Sequence, residues 1–168
     1  MIFTNDNGGE WLSRNDPFSN RKSSVWEGGI RVPMILRWPG TLPAAATSHQ
    51  VAVTMDLTAT ILAAARARIP ETHELEGIDL TPVLSGRAAV VTRELFWRVR
   101  GGRGGGKPQT AVRSGRWKLL REPDRAMLFD LETDPGERQD LSPKHPDVVR
   151  RLQRALDAWE KDIAARPL

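Results

Sequence analysis

Cysteine is absent from all 168 residues. That excludes disulfides, thiolate metal sites and cysteine catalysis, and leaves the compartment open. No apolar run is long enough to form a membrane-spanning helix. No charged, apolar and small-residue pattern of a signal peptide follows Met1. The Gly-rich segment Gly101 to Gly106 lacks the Gly-Lys-Ser/Thr ending and following helix of a phosphate loop, and its composition predicts a mobile segment. His49, His73 and His145 show no metal-ligand spacing and read as surface residues. No internal repeat is visible.

What is present suits one domain or a piece of a larger one. Apolar residues make up 39% and there are six tryptophans, enough to build a core. The formal charge of +4, from 25 basic and 21 acidic residues, is a small excess for this length. It gives little reason to expect a polyanion partner.

The stretch Met1 to Gly40 organises the rest. Met1 to Thr4 is a short apolar run, followed by Asn5, Asp6, Asn7, Gly8 and Gly9. This reads as the carboxyl edge of a parallel strand entering a loop, the edge where ligands bind in open α/β sheets. Parallel strands are normally covered on both faces, so a chain opening inside one suggests that Met1 is an internal start or a fragment boundary. Residues 5 to 31 form a long loop, and loops of this length in compact domains are usually functional or disordered. Asp6 and Asn7, taken alone, are a turn signal. As oxygen donors they also suit Ca²⁺ or Mg²⁺. Lys22, taken alone, is a solvated loop cation. Glu27 and Arg31 could be catalytic, but the structural reading is favoured, Glu27 bonding loop N–H groups and Arg31 pairing with a carboxylate. Val32 to Trp38 predicts a buried strand ended by Pro39-Gly40, and residues 41 to 50 a Pro/Ala linker.

Further on, Thr54 is a plausible N-cap for a helix over Met55 to Ala67, with Leu57, Ile61, Leu62 and Ala65 buried. Asp79 can cap a short helix ending at Gly86. Composition shifts near Ala88. Strands are predicted at Glu94–Val99, Thr110–Arg113, Arg116–Arg121 and Ala126–Leu131, with a hairpin at Ser114-Gly115 and a turn at Asp134-Pro135-Gly136. Pro146 opens the last helix. Its stripe Val149, Leu152, Leu156, Trp159 and Ile163 is expected to pack on the small sheet. Arg98, Arg100, Arg103, Lys107, Arg113, Arg116, Lys118 and Arg121, interleaved with Trp97 and Trp117, could bind a nucleic acid or a sulfated glycan. The solvated-face reading is favoured, because alternate strand positions must point to water.

Taken together, FTNDNGG, a following lysine, WEGGIRVP and RWPG resemble the sulfatase family (arylsulfatase type) of the alkaline-phosphatase-like superfamily. GIDLTPVLSG, AVRSGRWKLL and LFDLETDPGERQDL extend the resemblance to the final helix. It implies an α/β fold: residues 1–88 as the C-terminal remnant of the large α/β domain, residues 89–168 as a small antiparallel sheet packed by a C-terminal helix. It implies hydrolysis of sulfate esters, Asp6 and Asn7 binding a divalent cation, usually Ca²⁺, and Lys22 binding sulfate. The family nucleophile, a formylglycine made from Cys or Ser in a (C/S)-x-P-x-R motif, has no counterpart among these residues. The expectation is therefore a C-terminal part that is inactive alone and completed by an N-terminal half. The glycines that usually precede the family's lysine are replaced by Ser19-Asn20-Arg21. Competing readings are a non-catalytic sulfated-glycan-binding module, a complementing subunit of a split sulfatase, and a phosphoester or phosphonate hydrolase of the same superfamily. No nucleic-acid or membrane partner is expected; intact relatives are often exported.

Overall fold

The computed structural model describes residues 1–70, 72–101 and 108–166. The mobile segment expected at Gly101 to Gly106 falls almost wholly outside these residues. Arg103 and Lys107 of the basic region fall outside them too. Two compact units emerge: residues 1–6 with 33–92, and residues 7–32 with 93–168.

In the first unit, β1 (Ile2–Thr4) pairs with β2 (Met34–Leu36), and Phe3 lies opposite Ile35. The pairing is antiparallel, which corrects the parallel-edge reading of Met1 to Thr4. Nor is Val32 to Trp38 a buried strand: its ladder spans three residues, and Ile35 and Trp38 are exposed. Helix α2 (Thr54–Ala64) lies where the sequence places a helix, but its buried face differs. Asp56, Ala59 and Thr60 are buried, whereas Ile61 is 53% exposed. The cause is non-local. Asp56 accepts the N–H groups of Val53 (2.8 Å) and Ile78 (2.9 Å), and the Thr60 hydroxyl accepts that of Leu80 (2.9 Å). The helix uses polar side chains to satisfy a neighbouring loop, and buried backbone donors require such partners. Residues 41 to 50 end in an anchor: Gln50 exchanges hydrogen bonds with the backbone of Val91. Helix α3 (Thr81–Leu84) begins where Asp79 accepts the Thr81 N–H at 2.8 Å.

The second unit is a meander of four antiparallel strands in chain order: β3 (Glu94–Val99), β4 (Gln109–Ser114), β5 (Trp117–Glu122) and β6 (Arg125–Asp130). Successive residues point to opposite faces. Val112, Leu119 and Leu128 point to one face, and Leu152 and Leu156 of α3's successor, α4 (Pro146–Ala165), bury it. Four of the five residues of the stripe expected on this helix, Val149, Leu152, Leu156 and Trp159, therefore pack on the sheet as anticipated, with Trp159 stacked on Phe96 at 5.1 Å. Ala111, Leu120, Met127 and Phe129 point to the other face, where Val25 and Trp26 cover them. Trp26 lies 5.4 Å from Phe129, ring centre to ring centre. The end of the long N-terminal loop is thus a layer of the core. Directly after it comes the single-turn helix α1 (Glu27–Ile30). No helix among the described residues is long and apolar enough to cross a membrane.

Candidate functional site

The Gly8-Gly9 turn is fixed from two sides. Gly8 donates its N–H to Gly29 O at 2.8 Å, and Gly9 O accepts the N–H of Lys22 at 3.0 Å. A Cβ at Gly8 would lie 1.8 Å from the carbonyl oxygen of Gly28, so only glycine fits. Asn15 braces the turn from inside the loop. Its Oδ1 accepts the Gly9 N–H (3.1 Å), and its Nδ2 donates to Gly9 O and Asn20 O. Leu12, Asn20 and Ser23 turn the loop through left-handed backbone, with φ of 70°, 63° and 70°.

These bonds bring Asn7 and Lys22 to one turn, although fifteen positions separate them in sequence. Asn7 is half-buried, its Nδ2 donating to Gly8 O at 2.9 Å. Lys22 is half-exposed, and its Nζ lies 3.7 Å from a carboxylate oxygen of Glu10. Sequence reasoning passed over Glu10. Exposed pairs of this kind contribute about 0–1 kcal/mol, so an incoming oxyanion could displace Glu10. Asp6 is exposed and is the last residue of the first unit's opening segment. No group of three or more His, Cys, Asp or Glu able to hold a metal occurs among the described residues. Asp6 and Asn7 are chemically suited to a hard cation, as two of the six to eight oxygens Ca²⁺ takes.

Behind the turn lies a cluster of Lys118, Glu27 and Glu137, of which the sequence placed Lys118 elsewhere and did not single out Glu137. Lys118, expected on a solvated basic face, has no exposed side-chain surface. Its Nζ lies 2.8 Å from Glu27 and 2.7 Å from Glu137. Lys118 shares its strand face with Leu120, which contacts the Val25 layer, so its side chain points into the core. That alternation was a usable signal. Glu27 is structural, as expected, but its carboxylate takes the Lys118 ammonium rather than loop N–H groups, and Arg31 reaches it at 3.5 Å. Burial pushes the Glu137 carboxyl above its usual range, against the pull of Lys118. Burial also lowers the Arg113 guanidinium from its ordinary value.

The other hairpin cations are likewise engaged. Arg116 pairs with Asp130 and with Glu132, and Arg121 with Asp157 and Glu160. Arg98 and Arg100 are exposed. Of the three histidines, His49 and His73 are exposed, but His145 is half-buried, with its ring 4.9 Å from Trp117. This corrects its surface assignment: the ring closes the gap between the start of α4 and β5.

A family model described as N-sulphoglucosamine sulphohydrolase, C-terminal, matches residues 18–162. Arylsulfatase G of Rattus norvegicus is 30% identical over 165 residues, covering 87% of this chain and 31% of that protein. N-acetylgalactosamine-6-sulfatase of Canis lupus familiaris is 29% identical over 199 residues, covering 97% of this chain and 38% of that protein. The crystal structure of Ps i-CgsB is similar with a TM-score of 0.85 at 28% identity, over 94% of this chain and 35% of that one. The chain spans about a third of the length of these relatives. By sequence and by fold, the chain belongs to the sulfatase family and corresponds to its C-terminal portion.

Proposed function

We propose that this chain supplies part of the active site of an enzyme hydrolysing sulfate esters, with Lys22 holding the sulfate and Asp6 and Asn7 ligating a divalent cation, Ca²⁺ by family. The observation that carries the reading is the doubly anchored Gly8-Gly9 turn, which brings Asn7 and the Lys22 backbone together. Asp6 enters through its place in the FTNDNGG motif. A sulfate ester carries one negative charge, and more develops on the leaving oxygen as the S–O bond breaks. A cation fixed at those oxygens stabilises that charge more in the transition state than in the ground state. Lys22 is suited to this because its exposed ion pair with Glu10 is weak and can yield to an oxyanion. A bound metal ion would add charge neutralisation at the same oxygens. Its remaining ligands, and the formylglycine nucleophile, would come from outside these 168 residues, so the isolated chain is expected to be inactive.

Two measurements test this. Sulfate titrated into the ¹⁵N-labelled chain is expected to move the Gly8, Gly9 and Lys22 amide signals, and to lose that effect in Lys22→Ala. Signals moving elsewhere, or unchanged by the substitution, would refute the assignment. The purified chain is expected to hydrolyse 4-nitrophenyl sulfate no faster than Lys22→Ala; turnover above that control would overturn the expected inactivity.

A further inference from the structure

The buried cluster around Lys118 joins segments that are far apart in the chain. Lys118 and Glu27 are separated by 91 positions, and Glu27 and Glu137 by 110. Glu137 does two things. One carboxylate oxygen faces Lys118 Nζ, and the other accepts the Glu27 N–H at 2.6 Å, the first N–H of α1. Its backbone is left-handed, with φ of 53°, at the end of the turn in which it donates to Asp134 O (3.1 Å). A bulky residue is costly there, and such geometry persists where surrounding contacts over-determine it. Asp134 supplies them by accepting the N–H groups of Arg138 and Gln139.

From α1 the connections run outward to the turn. Gly29 O accepts the Gly8 N–H, and Gly28 donates to Ser19 O, each at 2.8 Å. A Cβ on Gly28 would meet the Ser19 and Asn20 carbonyls at 2.4 and 2.3 Å. Wherever α1 sits, Gly8 must follow, and Asn7, Gly9 and the Lys22 backbone follow Gly8. A bare apolar contact would let α1 slide. An ammonium hydrogen-bonded to Glu27 and ion-paired with Glu137, which itself takes the helix's first N–H, restrains both ends of that link.

We propose that Lys118, together with Glu27 and Glu137, is a positioning group for the Asn7–Lys22 turn, acting through α1. This rests on the reading of that turn as the metal and sulfate site. Lys118 has no exposed side-chain surface and would act only through α1.

The test uses the 168-residue chain and two variants, Lys118→Met and Glu137→Gln. Amide hydrogen exchange is followed at Gly8 and Lys22, with the Leu119 and Leu128 amides of the sheet as internal reference. Lys118→Met is expected to speed exchange at Gly8 and Lys22 at least tenfold, leave the sheet amides protected, and weaken the sulfate response at Lys22. Lys118→Arg, which keeps a cation between the two carboxylates, is expected to retain part of that protection, whereas a residue that merely fills space would show no difference between Lys118→Arg and Lys118→Met. Unchanged exchange at Gly8 in Lys118→Met, with the sheet intact, would overturn the proposal. Should that variant lose sheet protection as well, Glu137→Gln decides by the same criterion. If inorganic sulfate fails to move Lys22 in the unaltered chain, the site reading falls, while the exchange result still decides whether the cluster positions the turn.

Discussion

Asp130, at the end of β6, is 5% exposed and collects four donors. Arg116 reaches it through Nε at 2.8 Å and through Nη2; the Thr133 hydroxyl donates at 2.9 Å and the Glu132 N–H at 3.2 Å. The hydrogen bond from Arg116 is the main reason its carboxyl falls from 3.8 to about 2; burial opposes this, and Thr133 and the Glu132 N–H assist. At about 1.36 kcal/mol per pH unit, a drop of this size corresponds to roughly 2.4 kcal/mol of preference for the charged form. The Arg116 side chain is 41% exposed, so solvent screening reduces this to about 1–2 kcal/mol. The folded value is depressed. The contribution is therefore present in full above the unfolded value of 3.8, and is lost as pH falls toward 2. Urea unfolding of the chain and of Asp130→Asn, followed by tryptophan emission, checks this. The variant should be less stable by about 1–2 kcal/mol at neutral pH, and the gap should close near pH 2. Equal stability at neutral pH would refute the argument. So would a gap of the same size at both pH values, because the loss would then not be one of charge.

Leu156→Ala removes a fully buried side chain from the α4 layer over Leu119 and Leu128. It should cost about 2–5 kcal/mol, read as a lower urea midpoint with an unchanged slope. Gly28→Ala drives a Cβ into two backbone carbonyls that cannot yield. It should speed exchange at Gly8 and abolish the sulfate response at Lys22; a variant with both unchanged would show that α1 does not set the turn.

The meander and its helix were legible from short-range pattern. Alternating apolar residues placed β3 to β6 to within one or two residues, and the 3-4-3-4 spacing from Val149 to Ile163 placed both α4 and its buried stripe. What failed depended on partners distant in sequence. Helix α2 was found, but its buried side was misread because Asp56 and Thr60 serve the backbone of Ile78 and Leu80, some twenty residues on. The direction of β1 was misread because three apolar residues before a polar turn carry no information about their neighbour's orientation. Within the candidate site, the resemblance supplied Asp6, Asn7 and Lys22, while Glu10 beside Lys22 went unnoticed. A lone carboxylate in a polar loop has no pattern to mark it.

Lys118 shows the most instructive error, because the premise was sound for a different sheet. Alternate residues face water when only one face of a sheet is covered. Here α4 covers one face and the Val25–Trp26 segment the other, so a cation at position 118 is enclosed and must be paired. The covering segment is also the end of the candidate site loop. Each residue of Trp26-Glu27-Gly28-Gly29 therefore has a structural duty. Trp26 packs on Phe129, Glu27 pairs with Lys118, Gly28 gives room to the carbonyls of Ser19 and Asn20, and Gly29 holds Gly8. Three stretches that carry the family resemblance, WEGGIRVP, AVRSGRWKLL and LFDLETDPGERQDL, each contribute one member of the buried ion cluster: Glu27, Lys118 and Glu137. Segments that look like separate motifs along the chain are thus one object in space. Because that object fixes α1, and α1 fixes the Gly8-Gly9 turn, the small C-terminal sheet acts as the foundation on which Asn7 and the Lys22 backbone are set.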